Sequence, residues 1–312
     1  MLSGAPVEPE TTDAVRVRVP AKINLHLGVG DRRPDGYHEL TTVYQAIGLH
    51  DEITVGDADR PGVHVEVTGT GAELVPVDEN NLAVAAVRLL AEHAGVVPAV
   101  RLAIHKRIPV AGGLAGGSAD AAGALLATTR LWRLPLDRPA LLALAARLGS
   151  DVPFCLVGGT ALGTGHGEVV TEVPTASTGW HWVVVAADGS LSTPAVYREL
   201  DRLRDNGIGA YSADVSELRA ALLSGGADAL APLLRNDMTE AAVSLRPGLR
   251  EVLAAGEADG AVAALVSGSG PTVLLLAHDE HHAAALAGRM RLRGLARDAL
   301  VATGPVQGAH LW

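Results

Sequence analysis

Of the 25 lysines and arginines in this 312-residue chain only two are lysines, Lys22 and Lys106. Lys22 lies in Pro20-Ala21-Lys22-Ile23-Asn24-Leu25, and Lys106 shortly precedes the run Pro109-Val110-Ala111-Gly112-Gly113-Leu114-Ala115-Gly116-Gly117-Ser118. A chain that otherwise uses arginine and keeps lysine at such places points to a compact ammonium rather than a planar fork; the alternative is chance on two solvated strand ends. The glycine run decides between them. Small residues between a strand and a helix let backbone N–H groups approach an anion, and the helix N-terminus adds partial positive charge. Gly112 to Ser118 is therefore read as a phosphate cradle rather than a plain tight turn. It is neither the common P-loop, which would put lysine where Ser118 stands, nor the dinucleotide fingerprint, whose glycine spacing is missing.

The third group is Asp151, in Ser150-Asp151-Val152-Pro153. A carboxylate beside an ammonium stays ionised and can orient or deprotonate a hydroxyl, while the ammonium steadies charge on a transferring phosphoryl group. Spacing alone does not bring Lys22 and Asp151 together, and a helix-linking turn is the other reading of Asp151. His278-Asp279-Glu280-His281-His282 carries metal-ligating residue types, but with no identifiable partner ligands it reads as a charged helix entrance. Cys155, in an apolar run, reads as a small buried thiol.

Elements must hold these groups in place. Period-two alternation predicts strands over Val15 to Val19, Lys22 to Val29, Asp51 to Val55, Val63 to Val67 and Val100 to His105. A helix is expected over Asn80 to Ala94, stopped by Gly95. Ser118 is the expected N-cap of an alanine-rich helix to about Trp132, and Pro139 to Leu148 forms another, ended by Gly149. After glycine punctuation at Gly158, Gly159 and Gly163 to Gly167, the pattern restarts with a buried strand, Trp182 to Ala186. Helices near Pro194–Leu203, Val215–Ser224, Asn236–Ala242 and Pro247–Ala255 follow. The chain closes with strand Ala263–Val266, the turn Ser267 to Gly270, strand Thr272–Ala277, helix Glu280–Arg291 and a strand near Leu300, a pattern that suits an α+β sandwich.

The length suggests about two domains, and a hydrophobic content of 48% can fill a core in each. The division is expected as a disordered tail over residues 1–13, one domain over 14–178 and a second over 179–312. A net charge of −10 and a pI near 5.6 speak against a general nucleic-acid or anionic-membrane partner. A single cysteine, no signal segment and no long apolar run point to a protein of the reducing cytoplasm.

Four segments carry a resemblance: Pro20 to Leu27, Arg33-Pro34-Asp35-Gly36-Tyr37-His38, the loop from Lys106 to Ser118, and Ser150 to Pro153. In this order and spacing the chain resembles the GHMP kinases, and within them the branch that phosphorylates the 2-hydroxyl of a cytidine diphosphate-linked methylerythritol for non-mevalonate isoprenoid synthesis. The Asp-Gly-Tyr-His element is the part specific to that branch. The resemblance implies an α+β, two-domain GHMP kinase fold, with a mixed β/α N-terminal ATP-binding domain and a ferredoxin-like α+β sandwich at the C-terminus. It implies ATP and Mg²⁺ as cofactors, a small-molecule substrate, no nucleic acid or membrane partner, and a monomer or weak homodimer.

By the same resemblance Lys22 and Asp151 form the catalytic pair and Asn24 places substrate hydroxyls. Tyr37 stacks on the cytosine and His38 hydrogen-bonds it. Tyr197 closes the other face of the base, core packing with Val196 and Leu200 being its alternative. Lys106 and the residues Pro109, Val110, Ala111, Gly112, Gly113, Leu114, Ala115, Gly116, Gly117 and Ser118 form the ATP cradle, braced by Ser267 to Gly270. Asp120 departs from the family pattern, which has asparagine there, and would repel a triphosphate unless it faces away or meets Mg²⁺. Two other readings stay open: a homoserine- or mevalonate-type kinase, which gives Tyr37 and His38 no role, and a catalytically silent nucleotide or sugar sensor on the same fold.

Overall fold

The computed structural model describes residues 14–34, 36–110, 112–176, 179–187, 189–208 and 211–312, so the expected tail over residues 1–13 lies outside the described residues. In chain order the elements are β1 (Val15–Arg32), β2 (His38–Asp57), β3 (Gly62–Gly69), α1 (Leu82–Ala94), β4 (Ala99–Lys106), α2 (Gly116–Leu131), α3 (Arg138–Leu148), α4 (Val152–Val157), β5 (Thr160–Thr164) and β6 (Val169–Glu172). They continue with β7 (Trp180–Ala186), α5 (Thr193–Asp205), α6 (Ser216–Ser224), α7 (Ala227–Leu230), β8 (Arg235–Asn236), α8 (Thr239–Leu245), α9 (Gly248–Ala258), β9 (Ala263–Val266), β10 (Val273–Ala277), α10 (Glu280–Leu292), β11 (Asp298–Gly304) and β12 (His310–Leu311).

The first sheet runs β12-β1-β2-β4-β3, with β5 and β6 continuing from β2 and β8 lying parallel to β1. β1 is buried almost throughout from Val17 to Gly30 because both of its faces are covered. On one face lies α2, whose Ala119, Ala121, Ala122, Ala124 and Ala127 are fully buried. A helix of such small side chains sits close to the sheet. At Gly123 a Cβ would stand 2.5 Å from Ile53 Cγ1 and 2.8 Å from Val19 Cγ2. This close seating carries the start of α2 to the level of Lys22, whose backbone N–H donates to Leu114 O at 3.1 Å.

The second sheet runs β11-β7-β10-β9, all antiparallel, and with α9 and α10 it forms the β-α-β-β-α-β pattern of a ferredoxin-like sandwich. Its residues alternate between two cores. Val183, Val185 and Leu275 pack with Leu286 and Met290 of α10, while Trp182, Val184, Leu274 and Leu276 join the core beneath the first sheet. Trp182 pins the layers together by donating from Nε1 to Gln45 Oε1 at 3.1 Å. Two short strands of the second half, β8 and β12, return to β1 and complete the first sheet.

Several local expectations change. Ser118 is not the N-cap of α2: Ala115 takes that place in the left-handed region at φ 58°, and its carbonyl already accepts from Ala119 N at 2.8 Å, so the glycine pair winds the first turn. The helix expected from Asn236 begins at Thr239, because Asn236 pairs in β8 and spends its Oδ1 on Met238 N–H at 2.9 Å. The segment around Cys155 is helical, as α4, and its thiol is buried. Among the described residues no helix is long and apolar enough to cross a membrane.

Candidate active site

A cleft of about 780 Å³ opens between the two sheets' bodies, and residues from both line it. Its floor is built on β1 and β2. Lys22 is only 5% exposed; its Nζ donates to Asn24 Oδ1 at 3.1 Å and lies 3.4 Å from Asp151 Oδ2. Asn24 is held in turn by donating from Nδ2 to Thr42 Oγ1 at 2.8 Å, and Thr42 donates to His26 O at 2.7 Å. The Tyr44 ring lies beneath the ammonium, 5.3 Å away. Burial first, and then the Asp151 carboxylate, pushes the Tyr44 phenol well above its ordinary range, so it remains a neutral donor. Asp151 itself sits just before α4, where a helix N-terminus favours a negative charge, and its side chain is 31% exposed to the cleft.

Gly112 to Ser118 form the wall beside this pair. The loop is clasped by the Ser267–Gly270 turn from the second body: Ser267 Oγ donates to Gly113 O at 3.1 Å. Gly113 is the tight point, at φ +74° with an added Cβ only 2.2 Å from Ser267 O. Asn236 secures the turn from behind, donating from Nδ2 to Val266 O at 2.8 Å and to Gly268 O at 2.7 Å.

Lys106 requires correction. It does not line the cleft but is 2% exposed in the core, bonded to Asp51 Oδ2 and, at 2.6 Å, to Asp120 Oδ2. Asp51 Oδ1 also accepts from the backbone N–H groups of Arg107 at 2.6 Å and Ile108 at 2.9 Å, tying the strand end to the loop. Burial alone would lower the lysine, but Asp120 and Asp51 outweigh it and raise it, keeping an ammonium. Burial, only partly offset by Lys106 and reinforced by Asp51, raises the Asp120 carboxyl well above the usual range. Asp120 thus faces away from the cleft. Pro109 and Val110 also lie off the cleft lining, and Ala111 is outside the described residues.

At the far end of the cleft the aromatic residues pair differently from the expected sandwich. Tyr37, 63% exposed, stacks on His166 with centroids 4.9 Å apart, and His38 stacks on Tyr197 at 5.0 Å. Tyr197 both lines the cleft and packs against Val196 and Leu200, so its two readings are compatible. Burial, then Asp151, pushes its phenol up to about 12. His38 Nε2 is 2.8 Å from Asp201 Oδ1. Sequence reasoning missed His166 and Asp201. The first stood inside a glycine run read as punctuation; the second sits four residues after Tyr197, a helical spacing that would have placed both on one face. The histidines at 278 and 282 stack on each other at 5.3 Å, away from this cleft.

The glycine-walled, two-bodied cleft is that of a GHMP kinase. Family profiles match on both sides of it: GHMP kinases N terminal domain over residues 81–159 and GHMP kinases C terminal over 218–294. Solved structures agree on the fold, including homoserine kinase from Cytophaga hutchinsonii, with a TM-score of 0.74 at 18% identity over 99% of this chain and 100% of that one. The relatives narrow it further. The chain is 54% identical over 297 residues to 4-diphosphocytidyl-2-C-methyl-D-erythritol kinase of Salinispora arenicola, covering 95% of this chain and 94% of the relative. It is 53% identical to the enzyme of the same name from Mycobacterium tuberculosis H37Rv, covering 96% and 93%. A crystal structure of a 4-(cytidine 5'-diphospho)-2C-methyl-D-erythritol kinase superposes with a TM-score of 0.75 at 36% identity, covering 92% and 98%. The chain belongs to the 4-diphosphocytidyl-2-C-methyl-D-erythritol kinase family.

Proposed function

We infer that this chain transfers the γ-phosphoryl group of ATP to the 2-hydroxyl of 4-diphosphocytidyl-2-C-methyl-D-erythritol. The observation that carries the reading is the Lys22–Asp151 pair, 3.4 Å apart on the floor of a cleft that ends in a glycine cradle on one side and in Tyr37 and His38 on the other. Asp151 accepts the hydroxyl proton as the oxygen attacks the γ-phosphorus; the bond to the bridging oxygen breaks and ADP leaves. Lys22 Nζ, 3.4 Å from Asp151 Oδ2, positions that carboxylate and balances charge on the transferred group. Asn24, its amide fixed by Lys22 and Thr42, orients the acceptor. Gly112 to Ser118 offer backbone N–H groups and the α2 N-terminus to the phosphates, while Tyr37, His38 and Tyr197 take the cytosine. A homoserine- or mevalonate-type reading leaves this aromatic end without a purpose.

Mg²⁺ is read as arriving on the nucleotide. Among the described residues no group of three or more His, Cys, Asp or Glu could hold a metal ion, but the Ser118 hydroxyl and the Asp151 carboxylate line the cleft. That sparse donor set fits an ion that keeps its waters and is held by one or two protein oxygens plus substrate phosphates. When bound, the ion neutralises β- and γ-phosphate charge. Residues 14–178 then act as the ATP-binding domain and 179–312 as the substrate-side domain of a cytoplasmic monomer or weak homodimer.

The test is Asp151→Asn, which keeps shape and removes the base. ADP release should fall by about 10²- to 10⁴-fold with little change in KM; turnover within a few-fold of the native chain would remove Asp151 from the base role.

A further inference from the structure

We propose that Asp201 is the residue that makes this cleft read cytosine rather than uracil, by fixing the tautomer of His38; the inference rests on the cytidine reading of the site given above. A carboxylate can only accept hydrogen bonds, so the 2.8 Å contact of Asp201 Oδ1 with His38 Nε2 puts the ring proton on Nε2. In the neutral imidazole the other nitrogen, Nδ1, then carries a bare lone pair. The ring has little freedom to present it otherwise. His38 is 6% exposed, fixed at the start of β2 and stacked at 5.0 Å on Tyr197. Tyr197 and Asp201 sit one turn apart on α5, so one helix face both covers the imidazole and sets its proton.

A fixed acceptor distinguishes the two pyrimidines. Cytosine carries an amino group at position 4, a donor, where uracil carries a carbonyl oxygen, an acceptor. Nδ1 accepts from the first and opposes the second, lone pair against lone pair. Buried polar sites built for one partner reject an analogue lacking it far more strongly than apolar pockets do. Asp201 therefore acts through His38 as a positioning residue, favouring the cytosine ligand and disfavouring its closest competitor.

The experiment compares CDP and UDP binding to the full chain at pH 8 by calorimetry, in the native protein and in Asp201→Asn. The asparagine amide can offer Nε2 either a donor or an acceptor, which frees the tautomer. The native chain should prefer CDP by tenfold or more, and Asp201→Asn should cut that ratio by about tenfold, the worth of one hydrogen bond. Affinity for a non-hydrolysable ATP analogue and the melting temperature should stay as they were. Tyr37→Ala, in contrast, should weaken both nucleotides together and leave the ratio unchanged. A ratio unaltered in Asp201→Asn overturns the role of Asp201 while leaving the cytidine reading standing. Failure of the native chain to bind CDP overturns both. Should Asp201→Asn not fold, ¹⁵N correlation spectra of the native protein decide the matter: a proton on His38 Nε2 supports the proposal, and one on Nδ1 overturns it.

Discussion

Asp120 sets one carboxylate oxygen 2.6 Å from Lys106 Nζ and leaves the other, Oδ1, buried without a hydrogen-bond partner. With Asp51 on the same ammonium, two carboxylates share one cation in the core behind the phosphate cradle. Burial raises the Asp120 carboxyl, and with Asp51 competing for the same ammonium, Lys106 offsets that rise only in part.

Asp120→Asn should consequently be tolerated, and its effect should depend on pH. A carboxyl raised on folding binds its proton more tightly in the native state, so its contribution to stability is full below the unfolded-state value and is lost as pH rises through the folded one. Asparagine has no such loss. The melting temperature of Asp120→Asn relative to the native chain should therefore climb from acid to neutral pH, as thermal scans across that range would read; a difference independent of pH would refute it. Lys106→Met is the opposite case, leaving two buried carboxylates uncompensated at a cost of about 3–5 kcal/mol.

Gly113→Ala should damage nucleotide binding and stability together. The residue lies at φ +74°, and its new methyl would meet the Ser267 carbonyl, a backbone atom that does not rotate aside. The combined strain and overlap should cost about 2 kcal/mol or more in chemical denaturation. KM for ATP should rise, because relieving the overlap pushes the cradle away from the Ser267–Gly270 turn.

Gly123→Ala tests the seating of α2 without any backbone penalty. Alanine is the better helix former by about 1 kcal/mol, so propensity alone predicts stabilisation. Contact with Ile53 and Val19 predicts the reverse, a net loss of about 1–3 kcal/mol in urea unfolding. A more stable variant would mean that α2 has room to spare above the sheet.

Much of the architecture was legible where one period runs undisturbed. β9 falls on Ala263–Val266 as expected, and α1 ends at Gly95 in the left-handed conformation that glycine permits. β2 was read only from Asp51 onward, because register shifts in its pairing with β1 interrupt the alternation over its first half. β8 and β12, two residues each, have no period to read. Within the site, the scarcity of lysine singles out two buried ammoniums but not their neighbours: Lys22 meets Asp151 at a cleft, whereas Lys106 meets Asp51 and Asp120 in the core. Asp151 and Asp51 lie far along the chain from their lysines, and even Asp120 meets Lys106 only across the glycine loop, so no local pattern encodes such meetings. The glycine-rich loop was visible from composition, yet its true helix start was hidden, since Ala115 adopts a conformation its residue type seldom takes.

The return of β8 and β12 to β1 also orders events during synthesis. β1 is made well before its partners on that edge: β8 follows β7, and β12 follows all four strands of the second sheet, closing with Trp312 N–H on Arg16 O at 3.2 Å and the Arg18 guanidinium 3.4 Å over the Trp312 ring. Until then the strand that carries Lys22 keeps an open edge, a template for pairing with other nascent chains. The sheet that carries Lys22 is thus completed by strands drawn from the second half of the fold, so that a nascent chain halted short of residue 310 would bear the lysine without the β12 seam on Val17 and Arg18.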